Sequence, residues 1–127
     1  MKQLQQNKEL IVRYFNSISG VIKTPETMEA YVADEELIAH IAFFDAAFPK
    51  YEIFADEMTA EDNKVIVRAR FKGCHQGDFA GMAPTHRNVD FPFVISYEIE
   101  NGKIVHHWLI ADQMSLMEQL TSVAVPA

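Results

Sequence analysis

The chain has 127 residues, of which 49% are hydrophobic and 23% charged, with a formal net charge of −7. That is one domain with ample material for a packed core, which excludes general disorder, and its acidic balance disfavours binding to nucleic acid or anionic membranes. A single cysteine, Cys74, excludes an internal disulfide and any four-cysteine metal site.

The polar residues 1–8 lack the apolar centre of a signal peptide, and no run approaches the roughly 18 apolar residues of a membrane span, so a cytoplasmic protein is expected. Eleven acids and one base, Lys50, lie between Glu26 and Asp62. This stretch reads as a solvated surface rather than a metal or partner site. No linker, repeat or low-complexity tract divides the sequence, and residues 1–127 are taken as one domain.

The first half carries helical periodicity. Leu4, Ile11, Tyr14, Phe15 and Ile18 follow spacings of three, four and seven, which predicts a helix from Leu4 to about Ile18, with Gly20 as its stop. Thr24-Pro25-Glu26 starts a second helix, reaching about Val32: a hydroxyl cap, a proline in the first turn and a carboxylate at the positive end of the dipole. Asp34 caps a third, in which Leu37, Ile38, Ile41, Phe44, Ala47 and Phe48 form one apolar stripe that Pro49 ends.

The period then changes from 3.6 to 2. Tyr51–Thr59 reads as a strand followed by a turn at residues 60–63. In 64–74, Val65, Val67, Ala69 and Phe71 alternate with mostly charged residues, which predicts a sheet with one wet face. A glycine-containing connection from Gly77 to Pro84 leads to a strand from Val89 to Glu100. Asn101-Gly102 is a strong hairpin signal, since a type I′ turn needs positive φ at both central residues. Lys103 to about Asp112 is the return strand and Met114–Leu120 a terminal helix. Helices followed by an antiparallel meander define an α+β fold.

The hairpin turn predicts a register. With Glu100 opposite Lys103, Tyr97 faces His106, Ile95 faces Trp108, Phe93 faces Ile110 and Phe91 faces Asp112, all on one interior face. A histidine and a carboxylate among aromatics lose solvation, and an ionisable group there is pushed towards its neutral form, as proton transfer near pH 7 requires. The parity of 65–71 places His75 on the same side unless Gly73 marks a bulge. Asp112 is equally suited to capping the terminal helix, and a His106–Tyr97 contact to an ordinary core pair. His107 is expected to face solvent or an oligomer interface. Cys74 shares the charged face and is no favoured nucleophile, and no residues show metal-ligand spacing.

Two motifs carry a family resemblance. His75-Gln76-Gly77-Asp78-Phe79-Ala80-Gly81-Met82-Ala83-Pro84-Thr85, followed by Arg87, resembles the H-x-G-x-F-x-G-x-x-P-T-x-R segment of SnoaL-like polyketide cyclases. Asn101-Gly102-Lys103-Ile104-Val105-His106-His107-Trp108, then Asp112 and Gln119-Leu120, resembles their closing segment. The resemblance implies an NTF2-like cone, a curved antiparallel sheet wrapped on N-terminal helices around a cavity, and a homodimer packed through the sheet. It also implies cofactor-independent, metal-free, intramolecular aldol-type chemistry on a small hydrophobic carbonyl compound. Asp112 is then the general base, with His75 and His106 stabilising the enolate. The expected lining is Trp108, Phe91, Phe93, Tyr97 and Ile110, with Phe79, Tyr14 and Phe15. The chain departs from many relatives at His86, where they have glycine, and at Leu109, where they have a polar or acidic residue. The alternative within the superfamily is a small-molecule binding protein without turnover. A cavity filled by its own side chains would instead indicate a dimerisation domain.

Overall fold

The change of hydrophobic period near residue 50 separates a helical layer from a sheet. In the computed structural model, which describes residues 2–121, the order is α1 (Lys2–Ile18), α2 (Pro25–Glu29), α3 (Glu35–Ala47), β1 (Glu52–Glu61), β2 (Lys64–Cys74), β3 (Asn88–Glu100), β4 (Lys103–Ala111) and α4 (Gln113–Thr121). The four strands form one curved antiparallel sheet in the order β1-β2-β3-β4. No helix among the described residues is long and apolar enough to cross a membrane.

Local chemistry accounts for the helix ends. Gly20, at φ 75°, turns the chain after α1. Thr24 Oγ1 accepts the Thr27 amide at 3.2 Å, and Pro25 opens α2. Asp34 Oδ1 accepts the amides of Glu36 and Leu37 at 3.0 and 3.3 Å, capping α3. α2 stops at Glu29, short of the expected Val32, because residues 31–33 pair with β4 instead. The Ile104 amide donates to Tyr31 O and the Ala33 amide to Ile104 O, both at 2.8 Å, and Val32 bridges Ile104 in parallel.

The core lies between the helices and the inner sheet face. Leu10, Ile11, Tyr14, Phe15 and Ile18 of α1 meet Val65, Val67, Ala69 and Phe71 of β2 and Ile95, Tyr97 and Ile99 of β3, all buried. Each such aliphatic side chain contributes on the order of 2 kcal/mol by leaving water.

The β2–β3 register runs without interruption from Lys64↔Glu98 to Cys74↔Asn88, so Gly73 marks no bulge and His75 points inward as its parity requires. The β3–β4 register differs from expectation. The type I′ turn forms, with Asn101 at φ 52° and Gly102 at φ 74°, and Glu100↔Lys103 and Ile99↔Ile104 pair as counted. The next pair is Glu98↔His106, leaving Val105 as an extra residue. From there every β4 side chain is reversed: Tyr97 faces His107, Ser96 faces Trp108, Ile95 faces Leu109, Val94 faces Ile110 and Phe93 faces Ala111.

The 75–88 loop docks on the end of α3. The amides of Gln76 and Gly77 both donate to Ala47 O at 3.0 Å, and a Cβ at Gly77 would collide with the Ala46 carbonyl oxygen. Gly77 is therefore required by close approach of two backbones. Gly77→Ala is expected to cost roughly 1–3 kcal/mol, read as a fall in melting temperature of several degrees in a circular-dichroism melt. An unchanged melt would show that the loop is not docked in this way.

Candidate active site

A cavity of about 90 Å³ opens between α1, α3, α4 and the inner sheet face. It is small beside the roughly 300–1,000 Å³ of a drug-sized pocket, so it suits a compact ligand. Its depth is aromatic and aliphatic: Tyr14, Ile18, Leu37, Ile41, Tyr51, Phe71, Phe91, Ile95, Tyr97 and Leu116 are buried. Its half-buried lining residues, His40 and Phe44 of α3, Phe93 of β3 and Leu109 and Ala111 of β4, mark the mouth together with exposed Gln113.

Among the described residues no carboxylate lines this cavity. Its titratable groups are three phenols and one imidazole. Burial raises the pKa of Tyr14, Tyr51 and Tyr97 well above the ordinary phenol value, so all three remain hydroxyl donors at neutral pH. The Tyr14 and Tyr97 rings meet edge-on, 5.8 Å between centroids. Tyr51 is held from behind by Lys23, whose Nζ lies 3.8 Å from the ring centroid, donates to Tyr51 O at 2.9 Å and pairs with Asp45 at 3.4 Å. Burial lowers the Lys23 pKa, against the pull of Asp45. Burial likewise lowers the pKa of His40, and the charge of His107 adds to this, so His40 favours its neutral, proton-accepting form.

The reversed β4 register also builds a polar end beside the cavity. His107, on the inward row with Leu109 and Ala111, places Nδ1 2.6 Å from Asp34 Oδ2. Their side chains are 14% and 8% exposed. Burial alone would raise the Asp34 pKa, but the hydrogen bond from His107 and the two α3 amides outweigh it and hold the carboxyl below its usual value.

The expected site residues divide into three groups. Phe91, Phe93, Tyr97 and Tyr14 line the cavity. Phe15 and Phe79 are buried in the core and are not lining residues; Phe15 packs edge-on to Tyr14 and Tyr97, and Phe79 sits among Phe43, Phe44 and Phe48. His75 is completely buried, but behind Phe48 and clear of the cavity. Its Nδ1 accepts the Thr85 amide at 3.1 Å and lies 3.0 Å from Thr85 Oγ1, which closes the 75–85 loop. That acceptor role puts the ring proton on Nε2, which has no hydrogen-bond partner among the described residues. A closure of this kind gives the spacing of His75 and Thr85 a structural reason.

The third group is displaced by the Val105 bulge. Trp108 and Ile110 stand on the outer face, 56% and 58% exposed, and His106 is exposed beside them. Asp112 follows the end of β4 at the surface, where Oδ1 accepts the Ser115 amide at 2.9 Å and caps α4. The cavity base expected at Asp112 and the enolate partner expected at His106 are therefore not in the cavity.

The sequence reading missed His40, Tyr51, Gln113 and the Asp34–His107 pair. His40 had a signal: Leu37, His40, Ile41 and Phe44 follow the i, i+3, i+4, i+7 pattern of one helix face. His107 had none, because its side depends on the bulge. Among the described residues no three His, Cys, Asp or Glu side chains gather as a metal site requires.

Comparison with known proteins bears on this arrangement. A family model described as SnoaL-like polyketide cyclase matches residues 9–120. No curated protein matches the sequence significantly. Among solved structures, AclR from Streptomyces galilaeus, a proposed hydroxylase, superposes with a TM-score of 0.81 at 19% identity, covering 98% of this chain and 86% of that one. A proposed SnoaL-like polyketide cyclase from Jannaschia sp. CCS1 gives 0.80 at 23% identity, covering 94% of each chain. IdmH from Streptomyces antibioticus, a proposed polyketide cyclase, gives 0.76 at 20% identity, covering 91% and 98%. At these identities the likeness is one of fold, the NTF2-like cone.

The pKa shifts carry a sign for stability. His40 has a folded pKa below its unfolded value of about 6.5, so the unfolded chain binds more protons in that interval. Its contribution is complete above about pH 6.5 and is lost as pH falls through the folded pKa. Asp34 behaves alike from about pH 4 downwards. Between pH 7.5 and 5 the melting temperature is expected to fall more for the wild type than for His40→Gln. Parallel curves for the two proteins would remove His40 as the source.

Proposed function

Because the chain belongs to the SnoaL-like polyketide cyclase family, we propose that it takes a small, largely apolar carbonyl compound into the aromatic cavity and moves a proton at the carbon beside the carbonyl, acting in the cytoplasm without a cofactor. The observation that supports this reading is a single imidazole, His40, at the mouth of a cavity lined with phenols and apolar groups. His40 accepts the acidic proton: the C–H bond breaks, an N–H bond forms, and the electron pair moves onto the carbonyl oxygen as an enolate. The Tyr14 hydroxyl, kept protonated by burial, stabilises that oxygen. The enolate then takes a proton back at another position or attacks a second carbonyl of the same molecule. The cavity volume favours a small substrate over a fused polycycle.

The test uses a panel of small aryl ketones and β-keto esters in D2O, with exchange of the α-proton followed by NMR. Wild-type protein is expected to accelerate exchange of at least one compound over buffer, and His40→Gln to lose about two orders of magnitude of that rate. Full activity in His40→Gln would exclude this base. A second reading, binding without turnover, is favoured by Leu109, which lines the cavity where many relatives have a polar or acidic residue. Saturable binding of a panel compound that wild-type protein leaves unexchanged would establish it.

The outer sheet face supports a homodimer. Ile66, Trp108 and Ile110 are exposed there, and the register aligns Ile66 and Trp108 with Ser96 and Ile110 with Val94, an apolar strip across β2, β3 and β4. A second copy of this chain covers it by two-fold symmetry. Light scattering after size exclusion is expected to give twice the chain mass for wild type and a monomer for Trp108→Glu/Ile110→Lys. A monomeric wild type at micromolar concentration would refute the dimer.

A further inference from the structure

Three of the buried rings that line the cavity stand in one column. The register pairs Phe71 of β2 with Phe91 of β3, and their rings stack with centroids 4.7 Å apart and planes at 24°. Tyr51, just before β1, stacks on Phe71 in turn, at 4.6 Å and 24°. The Lys23 ammonium closes the column, 3.8 Å from the Tyr51 centroid. We propose that the cavity takes a single electron-rich aromatic ring, which lies face-on to the edges of this column. The proposal rests on the reading of the cavity as the substrate site and adds which part of the substrate enters it.

Stacking decides what these rings show to a ligand. Both faces of Phe71 are covered, by Tyr51 and Phe91, and both faces of Tyr51, by Phe71 and Lys23, so each has only its edge to offer the cavity. The rim of an aromatic ring is electropositive, and its complement is the negative face of another ring. The ammonium over Tyr51 draws ring electrons towards itself and strengthens that rim. The protein already uses this mode twice. Phe44 of α3 and Phe48 just after it meet Phe71 edge-to-face, at 68° and 85°, with centroids 5.8 and 5.4 Å away. With its faces taken, the edge of Phe71 is what they meet, and the cavity offers a further place of the same kind.

Volume sets the number of rings. An enclosed apolar cavity of roughly 150 Å³ holds benzene. A cavity of about 90 Å³ with an open mouth has room for one six-membered ring and none for a fused second, so the rest of the ligand lies at the mouth beside His40 and Gln113. The lining also selects a neutral ring. Among the described residues it offers a cation no carboxylate, whereas a hydrogen-bond acceptor on the ligand meets phenol hydroxyls. A saturated ring of the same size gains burial alone.

The test titrates the full-length protein by NMR with four methyl ketones: acetophenone, cyclohexyl methyl ketone, pentafluoroacetophenone and acetylnaphthalene. Acetophenone is expected to bind saturably, with ring-proton NOEs to Phe71 and Phe91. The cyclohexyl ketone has no π face and the pentafluoro ketone a reversed ring quadrupole, so both are expected to bind at least about threefold more weakly. Both are more apolar than acetophenone, and a cavity governed by burial alone would rank them above it. Acetylnaphthalene is expected to give no NOE to Phe71. Phe71→Leu keeps an apolar side chain but removes the edge, and is expected to abolish the preference for acetophenone; should it fail to fold, the wild-type ranking decides. The proposal is overturned by equal or tighter binding of the cyclohexyl or pentafluoro ketone, or by an unchanged preference in folded Phe71→Leu. NOEs to Trp108 of the outer face alone, acetylnaphthalene seated on Phe71, or binding of none of the four overturns it as well. The expected ranking in a protein that exchanges no α-proton would remove the catalytic reading and keep this one. Exchange of acetophenone and the cyclohexyl ketone at equal affinity would do the reverse.

Discussion

β4 carries one residue more than the stretch of β3 it pairs with, and the cavity depends on that residue. With Val105 set outside the count, Ile104 stays inward and fully buried, where it pairs with the 31–33 segment, and every later position changes sides. Leu109 and Ala111 then line the cavity, while Trp108 and Ile110 stand outside. Two small or medium side chains in place of a tryptophan and an isoleucine leave space that the larger pair would fill. The same shift brings His107 inward to meet Asp34. One extra residue thus accounts for the void, its polar end and the apolar strip on the opposite face.

Asp34 links that shift to the helical layer. One carboxylate oxygen fixes the first turn of α3 and the other holds a side chain of β4, so the helix bearing His40 is tied to the strand that shapes the mouth. Lys23 plays a comparable part at the other end of α3, joining Asp45 to the backbone and ring of Tyr51. Both ties place a charge near a cavity whose lining, among the described residues, holds no carboxylate or ammonium group. This arrangement is consistent with a wall of neutral hydrogen-bond donors and one basic imidazole, each sensitive to charge because little water intervenes.

The two family motifs serve the fold more than the cavity. His75 and Thr85 close the loop, Gly77 allows it to lie on the end of α3, and Asp112 caps α4. The His75–Thr85 and Asp112–Ser115 bonds are local requirements of backbone geometry, whereas Gly77 answers the close approach of the α3 end. The polar groups that line the cavity, His40, Tyr14 and Tyr97, come from α3, α1 and β3 and form no motif, because their proximity is created by packing.

Local physics made most of the elements legible in the sequence. The Thr24 and Asp34 caps, the Asn101-Gly102 turn, the stripe of α3 and the alternation of β2 all depend on neighbours within a few residues, and the structure reproduces them. Tyr14, Phe91, Phe93 and Tyr97 could be assigned to the interior for the same reason. The end of α2 at Glu29, the side on which His106 and His107 lie, and the surface position of Asp112 could not. Each turns on a long-range pairing: residues 31–33 with Ile104, or β4 with β3 across a bulge. Period-two alternation carries no record of an inserted residue, and only the packed sheet decided which of two adjacent histidines turns inward.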